Sequence, residues 1–119
     1  MNQYLYLNSR DEFLRIDISK IAYFESDGNY TIIYLNNKMK ATVGMNLSQM
    51  QEILSKKLKE NSIIFARIGR RHIINLNHVF MIALSRQKLI LSDGEMFEYQ
   101  ISLSKEALKK LRDTFLGRM

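Results

Sequence analysis

The sequence of 119 residues contains no cysteine and no proline, and only five glycines. Without cysteine the chain can form neither disulfide bonds nor thiolate metal sites, which fits an intracellular protein. No apolar stretch approaches the roughly 20 residues that a membrane helix needs, and the first residues lack the pattern of a secretory signal. Because no linker or repeat interrupts the chain, we expect residues 1–119 to form a single domain. From the absence of cysteine, of a signal and of a long apolar stretch, we expect a cytoplasmic location and no membrane partner.

Residues suited to catalysis are also scarce. The two histidines, His72 and His78, have no nearby carboxylate in sequence and too few partners to hold a metal ion. We interpret both as structural residues or as donors to a backbone or phosphate group. The glycines are scattered, so no phosphate-binding loop is present. The sequence therefore argues against an enzyme and predicts no catalytic residue, no metal and no cofactor.

Positive charge is concentrated in the second half of the chain. Residues 1–60 carry eight Lys/Arg against seven Asp/Glu, whereas residues 61–119 carry ten against five, and the whole chain has a net charge of +6. This asymmetry favours an anionic partner such as nucleic acid or a lipid surface.

Hydrophobic periodicity predicts a mostly β fold with two helices. Residues 46–60 repeat at helical spacing after Asn46, which can cap the helix with Gln49, and the second helix is predicted over residues 104–116. Alternating, β-branched and aromatic segments predict strands, and Asp93-Gly94 predicts a hairpin. The strand segments are residues 4–7, 13–16, 21–25, 30–35, 39–43, 63–68, 73–74, 79–84, 88–91 and 96–101.

The most informative segment is Phe65–Asn75, which places Arg67, Arg70 and Arg71 just before an apolar run. The apolar run must enter a core, so the arginines are expected at the end of a strand. Guanidinium groups held there match phosphate oxygens and guanine edges, although a solvated charge run is the simpler alternative.

The order of these signals resembles the LytTR family of bacterial DNA-binding domains, from about Phe13 to Leu111. Phe65–Asn75 is similar to the family motif Phe-x-Arg-x-His-Arg-Ser, which is followed by a hydrophobic residue, two aliphatic residues and Asn. The other similar segments are Ile21–Ser26 with Gly28–Tyr30, Thr42–Leu54, Asp93-Gly94 and Ile101-Ser102.

This resemblance implies an elongated stack of small antiparallel sheets, with about ten strands, one short internal helix and a C-terminal helix. It implies a transcription regulator that inserts loops into successive major grooves of double-stranded DNA. It also implies a monomer in solution that pairs on direct-repeat half-sites. The implied DNA-binding residues are Asn29, Tyr30, Arg67, Arg70, Arg71, His72, Ser102, Ser104 and Lys105.

Many members of the family are output domains of response regulators in two-component systems, joined to a receiver domain. No receiver domain fits within 119 residues. The chain is therefore either a stand-alone form or a fragment of a longer protein. In either case, the expected regulatory partner is a receiver domain or a sensor protein outside this chain.

The chain departs from the family pattern at two places. Gly69 stands where the family usually has His, and Arg71 where it usually has Ser, so the motif is more cationic and favours a phosphate contact. After Ser102 the family usually has Arg, whereas here the first cation is Lys105.

The sequence leaves individual roles and one alternative function open. We predict Arg70 as a reader of base edges and Arg67 as a phosphate-binding or structural residue. Asn29 either contacts DNA through its amide or simply tolerates a positive φ in its turn. The alternative function is a basic protein-interaction module that binds an acidic partner or sensor. A non-specific RNA or single-strand binder is a weaker third hypothesis.

Overall fold

The computed structural model describes residues 3–119, without the side chains of residues 61–63. These residues form ten strands and two α-helices, together with short 3₁₀ segments at Ile18–Lys20, Lys59–Ile64 and Leu76–His78. The strands are β1 (Tyr4–Asn8), β2 (Phe13–Asp17), β3 (Ile21–Asp27), β4 (Tyr30–Leu35), β5 (Lys40–Val43), β6 (Phe65–Ile68), β7 (His72–Asn75), β8 (Val79–Ala83), β9 (Lys88–Ser92) and β10 (Glu98–Ser102). The helices are α1 (Leu47–Leu58) and α2 (Lys105–Leu116).

The strands form three antiparallel sheets. A central five-stranded sheet has the order β5-β4-β3-β7-β6, β1 pairs with β2, and a three-stranded sheet has the order β10-β9-β8. The molecule measures 44 × 33 × 27 Å along its principal axes. The predicted fold class, a stack of small antiparallel sheets with two helices, is confirmed.

Two hydrophobic cores lie on opposite faces of the central sheet. One face packs against the β1–β2 hairpin and α1, and the other packs against the three-stranded sheet and α2. In β7, Ile73 belongs to the first core and Ile74 to the second. A strand covered on both faces needs apolar residues at successive positions, which explains the apolar run after the arginines.

Helix α1 begins and ends where its local sequence dictates. The Asn46 side chain accepts the Gln49 backbone N–H at 2.8 Å, and the Gln49 side chain accepts the Asn46 N–H at 2.9 Å, which confirms the predicted capping box. At the other end Lys59 adopts a positive φ of 49°, which stops the helix. A 3₁₀ segment follows as far as Ile64, so β6 begins at Phe65 rather than at the predicted residue 63.

The predicted hairpin at Asp93-Gly94 is confirmed, and its loop is longer than a two-residue turn. Ser92 pairs with Glu98, so the loop contains residues 93–97. The Asp93 carboxylate accepts the N–H groups of Glu95 and Met96, and these hydrogen bonds lower the pKa of Asp93. The Phe97 side chain is buried in the second core, and β10 begins at Glu98 rather than at the predicted residue 96. Separately, no helix in residues 3–119 is long and apolar enough to cross a bilayer.

Candidate nucleic-acid interface

Two of the predicted DNA-contacting segments are turns at the same end of the central sheet. Because β3 and β7 are antiparallel with Glu25 opposite His72, the β3–β4 turn and the β6–β7 turn both leave from that end. The backbone N–H of Ser26 donates to the carbonyl of Arg71 at 2.8 Å and joins the two turns directly.

The β3–β4 turn contains only Gly28 and Asn29, between the paired residues Asp27 and Tyr30. Gly28 has a φ of +61°, as the first position of a type II′ hairpin turn requires, whereas Asn29 does not have a positive φ. The unusual backbone conformation therefore falls on Gly28, and the turn does not need Asn29 for it. Asn29 and Tyr30 are both exposed to solvent.

The β6–β7 turn presents two arginines. Gly69 has a φ of +66° and turns the chain out of β6, after which Arg70 and Arg71 are exposed. Within the described part of the chain, neither guanidinium group forms a hydrogen bond or an ion pair. Their ten N–H donors in total are therefore free to bind an anion or a base edge.

Arg67 is bonded within the chain instead. Its guanidinium donates to the Ser48 hydroxyl at 2.9 Å, to the Gln51 side-chain oxygen at 3.1 Å and to the Arg70 carbonyl at 2.9 Å. These bonds tie the β6–β7 turn to the first turns of α1. Of the two roles predicted for Arg67, the structural one agrees with this geometry.

The third segment links β10 to α2 and lies beside the β6–β7 turn. Ser102, Leu103 and Ser104 line a shallow depression of about 220 Å³ together with residues 68–72 and Ala107. Ser104 caps α2 by accepting the Ala107 N–H at 3.1 Å. The next residue, Lys105, is exposed in the first turn of the helix. Ser104, which directly precedes Lys105, thus lines the same depression as the two free arginines.

Lys88 is a cation at this site that sequence reasoning missed. It lies opposite Ser102 in the β9–β10 pair and donates to the Ser102 hydroxyl at 2.7 Å. The predicted strand bounds, 88–91 and 96–101, set Leu91 opposite Met96 and therefore Lys88 opposite Tyr99, so the sequence analysis could not reveal this pair. The observed loop of five residues, 93–97, instead sets Lys88 opposite Ser102.

His72 belongs to the sheet interior rather than to the exposed turn. Its side chain is 11% exposed, and its Nε2 lies 3.1 Å from a Glu25 carboxylate oxygen. The other carboxylate oxygen of Glu25 accepts the Tyr34 hydroxyl at 3.2 Å. No group of three or more His, Asp or Glu that could hold a metal ion occurs among the described residues.

Burial is the largest of the effects that hold the pKa of His72 below its usual value of 6.5, and the charge of Arg71 acts in the same direction. The hydrogen bond and charge of Glu25 oppose them. The unfolded chain therefore binds a proton at His72 more readily than the folded chain does. By linkage, this histidine's contribution to stability is complete above about pH 6.5 and is lost as the pH falls below that value.

We therefore expect the free energy of unfolding, measured with urea between pH 5 and 8, to decrease below about pH 6.5. The variant His72→Phe keeps an aromatic ring and removes the titrating group, so its stability should depend less on pH in this window. Replacing the other histidine, His78→Asn, is the matched control and should leave the dependence in place. An unchanged slope in His72→Phe would contradict the assignment.

Antiparallel sheets that present unpaired cations on a turn at one end define this chain as a β-rich domain with a cationic surface at that end. The sequence profile of the LytTr DNA-binding domain matches residues 11–115. The chain belongs to this family of DNA-binding domains. The resemblance noted from the sequence is thereby confirmed.

A solved structure shares the fold over nearly the whole chain. It is the LytTr DNA-binding domain of a protein described as a methyl-accepting/DNA response regulator from Bacillus cereus. The match covers 94% of this chain and 95% of that chain, with a TM-score of 0.61 and 20% sequence identity. None of the curated proteins compared with the chain matches it.

Proposed function

We propose that the chain is a single domain that binds double-stranded DNA sequence-specifically as a transcription regulator, without catalysing a reaction. The three segments described above would enter successive major grooves on one side of the duplex. Arg70 would read a base edge, and Arg71 and Lys105 would contact phosphates. A receiver domain or sensor protein outside these residues would supply the regulatory signal in a bacterial cytoplasm.

One observation carries this proposal: Arg70 and Arg71 are exposed and without a hydrogen bond or ion pair in the described chain, at the sheet end where the other two segments meet. Arg67 in the same segment differs, because its guanidinium is bonded to Ser48 and Gln51 of α1. Two free guanidinium groups on one turn suit a ligand that supplies both phosphate oxygens and base edges.

The test begins with selection of bound fragments from genomic DNA, followed by binding titrations against the selected duplex and a scrambled duplex. Each titration is repeated over a series of salt concentrations. We expect affinity to fall steeply with salt, because phosphate contacts release counterions, and a sequence preference to persist at each salt concentration. Arg71→Ala should reduce the salt slope by about 1, and Arg118→Ala, a matched loss of charge at the far end of α2, should not.

Failure of this experiment has a definite meaning. If no duplex binds at low salt, the proposal is wrong, and the basic face is better explained as a surface for an acidic protein partner. Equal affinity for selected and scrambled duplexes would leave only non-specific nucleic-acid binding. Tighter binding of single strands than of duplexes would favour the single-strand hypothesis.

Asn29 provides a separate prediction, because the turn does not depend on it for its positive φ. We expect Asn29→Ala to leave the melting temperature nearly unchanged and to weaken binding to the selected duplex more than to the scrambled one. Calorimetry and duplex titration on the same preparation measure both effects. A large loss of stability with unaltered affinity per folded molecule would instead make Asn29 a turn residue.

A single domain of this size reads few base pairs, so we propose that two copies, monomeric in free solution, pair on direct-repeat half-sites. Shifting one half-site by about half a helical turn would move the second copy to the opposite face of the duplex. We expect cooperative binding, measured by titration of the repeat, to disappear after this shift. A stable dimer in sedimentation without DNA, or indifference to spacing, would contradict the pairing.

A further inference from the structure

The Glu25 carboxylate connects three neighbouring strands directly behind the two turns. One oxygen lies 3.1 Å from Nε2 of His72 on β7, and the other accepts the hydroxyl of Tyr34 on β4 at 3.2 Å. Glu25 itself is on β3, between these strands in the sheet. Both of its oxygens therefore hold side chains of the adjacent strands.

The contact between Glu25 and His72 lies beside both turns. Glu25 lies three residues before Gly28, where the β3–β4 turn begins, and His72 directly follows the β6–β7 turn. Just beyond this pair, the Ser26 N–H donates to the Arg71 carbonyl at 2.8 Å. The two turns are thus joined at their bases by one backbone bond and one side-chain bond.

The surroundings of the pair favour a fixed geometry. His72 packs near the ring of Tyr23, at 6.2 Å between ring centroids, and Tyr23 stacks on Tyr34 at 4.4 Å. The charged or titratable groups that face the histidine are Glu25, Tyr23 and Tyr34 from the sheet and Arg71 from the turn. Burial restricts the rotamers of these side chains, and a hydrogen bond in such surroundings is costly to leave unmade.

We propose that Glu25 is a positioning residue for DNA recognition, which holds the β3–β4 and β6–β7 turns at a fixed separation through His72 and Tyr34. This inference rests on the proposed function. Reading groups must be held within about 0.5 Å of their productive geometry to discriminate ligands well. Glu25 touches no base in this scheme. It sets the spacing between Asn29 on one turn and Arg70 on the other.

The test measures the ratio of affinities for the selected and scrambled duplexes in Glu25→Ala, Glu25→Gln, His72→Phe and the double variant Glu25→Ala/His72→Phe. We expect Glu25→Ala and His72→Phe each to lower the ratio by about 2- to 30-fold, the range for residues that modulate a site without touching its ligand. The double variant should be no worse than either single one, because both remove the same link. Glu25→Gln should retain most of the ratio. The carbonyl oxygen of its amide can accept the Tyr34 hydroxyl, and its NH₂ group can donate to Nε2 of His72 when the histidine is protonated at Nδ1.

Stability and charge are controlled in the same series. Urea unfolding gives the folded fraction of each variant, and every affinity is expressed per folded molecule. Glu98→Ala removes an exposed carboxylate at the opposite end of β10 from Ser102 and should leave the ratio unchanged. A ratio unaffected by Glu25→Ala, or lowered equally by Glu98→Ala, would overturn the positioning role.

The outcome also separates this inference from the proposed function. If Arg70→Ala lowers the affinity for the selected duplex while Glu25→Ala does not, duplex recognition stands and the positioning role is wrong. If Arg70→Ala has no effect either, the turns do not read DNA and the proposed function itself fails. Lowered ratios in Glu25→Ala and His72→Phe, with recovery in Glu25→Gln, would support both.

Discussion

Replacing Arg70 with alanine should weaken binding to the selected duplex by about 1–3 kcal/mol and remove the preference at one base pair. The expectation follows from geometry, because the Arg70 side chain is exposed in a turn and has no hydrogen-bond or ion-pair partner among the described side chains and backbone. An arginine in a major groove can donate two parallel hydrogen bonds to guanine, which no other base accepts in the same way. Titrations against single-base variants of the selected site measure both quantities.

Arg71→Ala is the natural comparison, since both arginines are exposed in the same turn. We propose Arg71 as a phosphate contact, so its loss should weaken binding to all sequences by a similar factor. A uniform loss in Arg70→Ala would make that residue a phosphate contact as well and would refute its role as a base reader. Unfolding measurements should show little change in either variant, because neither side chain is bonded within the described chain.

Replacing Asn75 with leucine should lower the free energy of unfolding by about 1–3 kcal/mol. The Asn75 side chain is 1% exposed, and its amide donates to the Ile21 carbonyl at 2.8 Å and accepts the Asn77 N–H at 2.9 Å. Leucine has the same number of side-chain heavy atoms but forms neither bond, so a buried carbonyl loses its partner. Urea denaturation of the wild type and the variant measures the difference.

An exposed asparagine with the same local bond is the matched control. The Asn37 side chain accepts the Met39 N–H at 3.0 Å, as Asn75 accepts the N–H two residues on, but Asn37 lies on the surface. Asn37→Leu should therefore change stability by only about 0.5 kcal/mol. Equal losses in the two variants would show that the local turn, rather than burial of the Asn75 amide, carries the effect.

Local patterns predicted most of the secondary structure, because each element has its own period and its own end signals. The capping box at Asn46 and the apolar stripe of α1 are examples that depend only on neighbours in sequence. Register depends on more. The Asp93-Gly94 pair predicted the hairpin but not its register, because the Asp93 carboxylate also accepts the N–H groups of residues 95 and 96 in a longer loop.

The sequence predicted which segments form the candidate site, but not which hydrogen bonds their side chains make. The order of motifs indicated which segments matter, and the structure brings them to one end of the sheet. The sequence could not show that Arg67 is bonded to α1 while Arg70 is free, because Ser48 and Gln51 are distant in sequence. The same holds for the Lys88–Ser102 pair and for the contact of His72 with Glu25. The roles of these residues in DNA binding stay predictions.

The pairing of β3 with β7 also has a consequence for folding kinetics. Glu25 and His72 are separated by 47 positions in sequence, and the whole of α1 lies between them. Closing so long a loop costs chain entropy before any contact is gained, which slows the formation of non-local sheets. Helix α1 and the hairpins can form early from local contacts, whereas the surface made by the two turns exists only after this closure. During refolding, recovery of duplex binding should therefore lag behind recovery of helical circular dichroism.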